Sequence, residues 1–305
     1  MKGAIFMHYT GTIWRPPYEV SSLLLEATAG CTHHQCKFCT LYDDLPFKFK
    51  MTPLEDMESD LKEVKGQLRL LIGHKITRIF LTGANPFVLK ASRLLEIAGL
   101  IHQYFPDNKT IGCFSRITDI ALKTNGELVQ LKNAGYDGLT IGIETGDDEA
   151  LTFMNKGYAS ADIITQCRRL DDAGISYNFF YLTGVSGAGR GEFGAKATAA
   201  VCNQLHPKII GASMLTIYPN SELYGEIQKG NWKEELEIEK YKELKTLVEN
   251  LNIPVWFAAM GASNAIPIQG TLPEDTRKVL NVLEQIIGSV DEGELRHYRK
   301  NLRHL

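Results

Sequence analysis

The run Gly30-Cys31-Thr32-His33-His34-Gln35-Cys36-Lys37-Phe38-Cys39-Thr40-Leu41-Tyr42 carries three of the chain's six cysteines, directly after an apolar stretch that reads as a strand. Three thiolates can hold three irons of a four-iron, four-sulfur cluster, and no fourth cysteine lies nearby to close the last iron. An iron without a protein ligand is an open coordination site. Open sites are where a metal centre acts on a bound molecule, whereas closed ones staple a fold.

Two plainer readings compete. Structural zinc takes four nitrogen or sulfur ligands, and His33 or His34 could supply the fourth, although both lie in the cramped span between Cys31 and Cys36. A disulfide fits poorly: six cysteines in 305 residues, with no apolar signal segment at the start, predict a reducing, cytoplasmic setting. Cys113, Cys167 and Cys202 are dispersed and expected to pack as small hydrophobes. Cys167 shares a helical face with Ile163, Ile164 and Leu170.

A chain of this length with 44% hydrophobic residues can bury the core of one large domain. The formal net charge of −3 argues against a polyanion-binding surface as the main business of the molecule. No apolar run approaches the ~20 residues that span a bilayer, so no membrane partner is expected.

Strands and helices alternate along the chain. Val20 to Ala27 is a strand candidate that leads into the cysteine loop. Thr52-Pro53-Leu54-Glu55 is a helix start with an N-cap, a proline at N1 and a capping-box glutamate. From there Leu54, Met57, Leu61 and Val64, on to Leu71, mark one buried helical face. Further strands are expected at residues 76–81, 110–114, 139–143, 177–182 and 208–217. The intervening helices include one opened by the capping box Thr124 to Glu127 and one from Ser160 to Gly174. This predicts an α/β fold, a partial (β/α)6 TIM-like barrel over residues 1–225, with residues 226–305 as a mainly helical cap in the same compact unit. Ligand sites in such a fold lie at the C-terminal strand ends, where the cysteine loop falls. In the cap, Lys233 to Glu249 reads as a solvated amphipathic helix and Arg296, Arg299, Lys300 and Arg303 as a charged final helix.

Trp14-Arg15-Pro16-Pro17, the apolar strand, Gly30-Cys31, then Cys36-Lys37-Phe38-Cys39 and the alternating β/α units together resemble the radical S-adenosylmethionine superfamily. The resemblance runs over roughly residues 10–275. It is to a branch with four residues between the first two cysteines. The core of that branch is similar to oxygen-independent coproporphyrinogen oxidases and to the catalytic domains of tRNA methylthiotransferases and the Elongator catalytic subunit. The resemblance implies that Cys31, Cys36 and Cys39 ligate one four-iron cluster, while the methionine end of S-adenosylmethionine chelates the open iron. One electron into the cluster would then cleave the cofactor's carbon–sulfur bond, and the 5′-deoxyadenosyl radical would take a hydrogen atom from an unidentified, small-molecule substrate. A low-potential electron donor of flavodoxin or ferredoxin type is the implied partner.

Further roles follow from the resemblance. Phe38 flanks the last ligand. Thr82-Gly83-Ala84-Asn85 stands where a glycine-rich segment meets the methionine amino group, with Asn85 in place of the usual carboxylate. Ser115 and Arg116 end the third strand, where polar side chains reach the methionine carboxylate; a salt bridge from Arg116 to Asp119 is the alternative. Glu144 ends the fourth strand and would accept from the ribose hydroxyls or the ammonium. Tyr181 and Gly184 open a glycine-rich segment suited to an adenine. Trp256, Ser263 and Asn264 belong to a strand and turn placed to close the barrel mouth over the substrate, although Trp256 could simply pack its edge.

Absences narrow the class. There is no P-loop, dinucleotide or serine-elbow fingerprint. No second C-x-x-C pair offers an auxiliary cluster, and nucleic acid is not the expected partner. An iron–sulfur electron carrier or sensor without turnover, and an RNA-modifying relative, are the competing functions.

Overall fold

The six predicted strands all form, and all but the first lead into a helix before the next strand, because each is a short apolar run that parallel neighbours and covering helices can bury on both faces. The computed structural model describes residues 7–68 and 75–302; Leu71 and Arg303 lie outside them. In chain order the strands are β1 (Leu23–Glu26), β2 (Thr28–Gly30), β3 (Phe49–Met51), β4 (Arg78–Thr82), β5 (Thr110–Ser115), β6 (Leu139–Glu144), β7 (Tyr177–Thr183), β8 (Ile209–Met214), β9 (Val255–Ala259) and β10 (Ile268–Leu272). The main sheet has the order β1-β4-β5-β6-β7-β8-β9-β10, and β2 and β3 form a separate pair.

Two compact units divide the described residues: 7–34, 41–140 and 172–175 in one, and 35–40, 141–171 and 176–302 in the other. The division falls within β6. In the first unit β1, β4 and β5 are parallel, and β2 pairs antiparallel with β3. Ile79, Phe80 and Leu81 of β4 are fully buried, and Met57, Leu61 and Val64 of the helix Leu54–Leu68 are buried as their spacing requires. Arg78 closes the N-terminal end of this unit. Its guanidinium pairs with buried Glu19 and also donates to Thr110 Oγ1 and to the carbonyls of Asp137 and Gly138.

In the second unit β7, β8 and β9 are parallel and β10 returns antiparallel to β9. β10 was missing from the sequence reading, although Ile268-Gln269-Gly270-Thr271-Leu272 alternates buried and exposed along its length, the period-two signal of a half-covered strand. The helix that follows spans Thr276–Ser289. A larger correction concerns the helix Glu237–Asn250. It was expected to be solvated on its charged face, yet Glu237, Lys240 and Glu243 are all buried. It packs between the helices Gly191–Cys202 and Thr276–Ser289, so both its faces meet protein. Lys240 is matched there by Glu234 and Glu237 at 2.9 and 3.1 Å. The final helix, Glu292–Lys300, is likewise more than a charged surface: Arg299 is buried and donates to the carbonyls of Ser263 and Met214. No helix among the described residues is long and apolar enough to cross a membrane.

Candidate active site

Cysteine burial separates two kinds of thiol. None of the six is in a disulfide: Cys31, Cys36 and Cys39 are half-buried on the loop between β2 and β3, while Cys113, Cys167 and Cys202 are buried. Burial drives the last three thiols far up, Cys202 to about 12, so they remain protonated packing groups.

In the first unit, β2 carries the chain into Cys31. Its Sγ accepts from the backbone N–H of His34 at 3.4 Å, and His34 takes a left-handed turn at φ 45°. The His34 ring is paired with Asp43 at 2.9 Å, which engages one of the two histidines that could supply a fourth zinc ligand. At the end of β4, Gly83 has φ 127°, and a Cβ there would overlap Thr28 of β2. Only glycine allows the two strand ends to approach so closely. Asn85 is fully buried. Its amide donates to Thr32 Oγ1 at 2.8 Å and to both Asp119 oxygens at 3.1 Å, and its Oδ1 accepts from the Thr32 N–H at 3.4 Å. Asn85 therefore ties the residue after Cys31 to the segment after β5.

Asp119 accepts from the Arg116 backbone N–H at 2.8 Å, while the Arg116 guanidinium donates to Thr118. Ser115 turns its hydroxyl to the Arg116 carbonyl. Burial raises the Asp119 carboxyl to about 6, against the opposing pull of the Arg116 N–H, the Asn85 amide and the charges of Arg116 and Lys123.

In the second unit, the loop from Gln35 to Cys39 is laced to the segment after the helix Asp148–Phe153. Lys37 N donates to the Met154 carbonyl at 3.2 Å and Asn155 Nδ2 to the Gln35 carbonyl at 3.1 Å. Phe38 packs against buried Met154, Val185, Leu215 and Leu223. Glu144, at the end of β6, has φ 63°, a conformation that costs a non-glycine residue ~1–3 kcal/mol and persists only where neighbours impose it. The neighbour is Lys156, whose Nζ lies 2.9 Å from Glu144 Oε1 and 5.7 Å from the Phe38 ring centroid. Burial alone would favour the neutral amine. The charges of Glu144, Tyr158 and Cys36 overcome it, and the Lys156 ammonium is held well above its usual range.

The remaining predicted residues fall in different places. Tyr181 and Gly184, at the end of β7, both donate to Glu243: the phenol to Oε1 and the Gly184 N–H to Oε2 at 2.7 Å. The Tyr181 ring is thus committed to the helical layer. Ser263 and Asn264 follow the C-terminal end of β9 and are buried. Ser263 Oγ accepts from Met214 N at 3.1 Å, and Asn264 Nδ2 donates to the Ala212 carbonyl at 3.0 Å. Trp256 is not with them. It pairs with Ile209, which pairs with Asn178, five residues before Thr183, so at ~3.3 Å per residue it lies about 16 Å down the strands. That is the N-terminal end of the sheet, and Trp256 leaves the candidate site.

Asp119, Thr32 and Lys156 were not among the predicted site residues. Nothing in a single sequence links Lys156 to Glu144 twelve residues earlier; Asp119 had appeared only as a partner for Arg116.

Orphaned polar atoms mark these strand ends. Thr28 Oγ1 and Thr82 Oγ1 in the first unit, and Thr183 Oγ1, Ser186 Oγ and Asn264 Oδ1 in the second, are buried without a hydrogen-bond partner among the described residues. A buried polar group left so costs ~1–3 kcal/mol, and a ligand rich in hydroxyl, amino and carboxylate groups would relieve it. Three half-buried thiols are by their chemistry a donor set for an iron–sulfur cluster, although no group of three or more histidine, cysteine or acidic side chains is gathered as a metal site among the described residues.

Comparison with known proteins agrees. Residues 25–195 match the family model of the radical SAM superfamily, and the chain belongs to that superfamily. Members of that superfamily use a four-iron, four-sulfur cluster together with S-adenosylmethionine. Among curated proteins it is similar to the heme chaperone HemW of Buchnera aphidicola subsp. Acyrthosiphon pisum (strain APS), 24% identical over 199 residues, or 62% of this chain and 50% of the relative. The chain thus spans half the length of that relative. Among solved structures it is similar in fold to the radical S-adenosylmethionine methyltransferase TsrM from Kitasatospora setae (TM-score 0.53, 18% identity, 68% of this chain and 37% of that one). Methylornithine synthase, PylB, has the same fold over more of both chains (TM-score 0.50, 15% identity, 91% and 85%).

Proposed function

We propose that this enzyme holds a single four-iron cluster on Cys31, Cys36 and Cys39, binds S-adenosylmethionine at the ends of its strands, and acts on a small-molecule substrate with electrons from a flavodoxin- or ferredoxin-type donor. The observation that carries the reading is the division of the six cysteines into three half-buried loop thiols and three buried, inert ones. When bound, the cluster and cofactor together supply a 5′-deoxyadenosyl radical for hydrogen abstraction. The protein's part is placement. Lys156 fixes Glu144 in its left-handed turn, offering a carboxylate to a hydroxyl or ammonium. Asn85 and Asp119 fix Thr32 and the Arg116 backbone on either side of Gly83. Gly83 itself lets Thr28 lie against the end of β4, where a side chain would collide.

The test is anaerobic reconstitution. The wild type should bind about four irons per chain, and each of Cys31→Ala, Cys36→Ala and Cys39→Ala should lose the cluster while Cys167→Ala keeps it. About eight irons, or zinc as the only tightly bound metal, would overturn the assignment. Similarity to a heme chaperone favours a second reading, in which cluster and cofactor are bound without turnover. Reduced holoprotein that forms 5′-deoxyadenosine excludes it.

A further inference from the structure

Two buried carboxyl groups in the second unit have no ion-pair partner among the described residues. Glu243, on the helix Glu237–Asn250, is fully buried, and Glu235, just before that helix, is 2% exposed. Glu243 accepts from the Tyr181 phenol and from the Gly184 N–H. Glu235 accepts from the N–H of Gly191, the first residue of the helix Gly191–Cys202. Both carboxyl groups converge there: a Cβ on Gly191 would overlap Glu235 and come within 2.9 Å of Glu243 Oε2. Glu235 Oε2 nevertheless has no hydrogen-bond donor among the described residues.

The surrounding ionisable groups are otherwise engaged. Lys240 pairs with Glu234 and Glu237, and Arg190 with Asp147 and Glu149. Glu192 accepts from Thr246, and Glu237 also pairs with Arg296 and Arg299. Glu239 adds only negative charge. Two adjacent carboxylates cannot both be ionised in such a place without strong repulsion. The donor that Glu235 lacks is a proton on Glu243.

We propose that Glu243 is a positioning residue that carries a proton, donates it in a hydrogen bond to Glu235, and so fastens the Gly184–Gly191 segment in the shape that receives the adenosyl group. This rests on the cofactor reading above for its last clause only. Burial is the main force keeping Glu243 protonated, with Glu235 beside it adding to the shift. The consequence for pH has a definite sign. A carboxyl held up in the fold stabilises it fully below the ordinary carboxyl range, and that contribution is lost as pH rises through the raised value.

Glu235→Gln is the informative variant, because its amide can accept from Gly191 and donate to an ionised Glu243, keeping each contact without a shared proton. In reconstituted holoprotein we expect Glu235→Gln to bind S-adenosylmethionine within about threefold of wild type and to lack the fall in melting temperature that wild type shows as pH rises above the ordinary carboxyl range. Glu243→Ala should lose about tenfold or more in affinity with cluster absorbance unchanged. Infrared spectra of glutamate-labelled protein should show a protonated-carboxyl band in wild type that disappears in both variants. That measurement needs no cofactor, and absence of the band in wild type overturns the shared proton. Wild-type affinity in Glu243→Ala overturns the positioning role. If Glu243→Ala does not fold, a Glu235→Gln variant that weakens with rising pH as wild type does overturns the proposal equally. Wild-type holoprotein that binds no S-adenosylmethionine, with the band present, would instead strike down the cofactor reading and the positioning clause with it.

Discussion

At the scale of single residues, Glu144 and Lys156 form a pair that neither can leave. Removing one partner of a buried ion pair strands the other charge, at a cost of ~3–5 kcal/mol. Glu144→Gln should therefore lower unfolding free energy in urea by about that amount, since Lys156 is 4–5% exposed. The same variant should bind S-adenosylmethionine about ten- to a hundredfold more weakly. An unaltered denaturation midpoint would mean that Lys156 finds another counter-charge. Asp119 behaves in the opposite sense. Burial raises its carboxyl to about 6, and a tenfold change in proton affinity is ~1.4 kcal/mol. The protonated form is favoured in the fold, so its stabilisation is complete below pH ~4 and lost as pH rises to ~6 and beyond. The stability difference between Asp119→Asn and wild type should shift by about 2 kcal/mol in favour of the variant between pH 4 and pH 7. Matched urea titrations at the two pH values check this.

Among elements, the helix Asn125–Asn133 is the simplest case of a segment set by its own sequence. Thr124 accepts from the Glu127 N–H at 3.2 Å, and Glu127 returns the bond to the Thr124 N–H at 2.7 Å. Thr124→Ala should cost ~1 kcal/mol, and cluster content should not change. The helix Glu237–Asn250 is the reverse case. Its apolar spacing was legible, with Tyr241, Leu244 and Val248 buried, but charges in sequence do not declare whether they will meet solvent or partners. Here the partners come from Glu234 before the helix and from Arg296 and Arg299 on the final helix.

For the molecule as a whole, each compact unit can be challenged separately. In the first, Arg78 gathers Glu19, Thr110 and the 137–138 turn. Arg78→Met leaves Glu19 buried without its counter-charge and should destabilise by ~3–5 kcal/mol. Because this cluster lies at the N-terminal end of β4, reconstituted Arg78→Met should still carry its cluster. Loss of the cluster in folded variant would show that the two ends of the strands are coupled.

Local chemistry let the sequence by itself determine the alternating α/β order, the capped helices, the inert cysteines and the three-cysteine loop, since periodicity, caps and thiol spacing act over a few residues. Tertiary structure alone decided what lies more than a turn away. The antiparallel β10 beside β9 was settled by pairing, and the departure of Trp256 from the strand ends by register. The burial of Glu243 and Lys240 depended on which helices cover them. The pairing of Lys156 with Glu144 needed β6 and the segment after the helix Asp148–Phe153 to fold back on each other. Burial and partner choice are properties of the packed chain, and one sequence read residue by residue contains no measure of either.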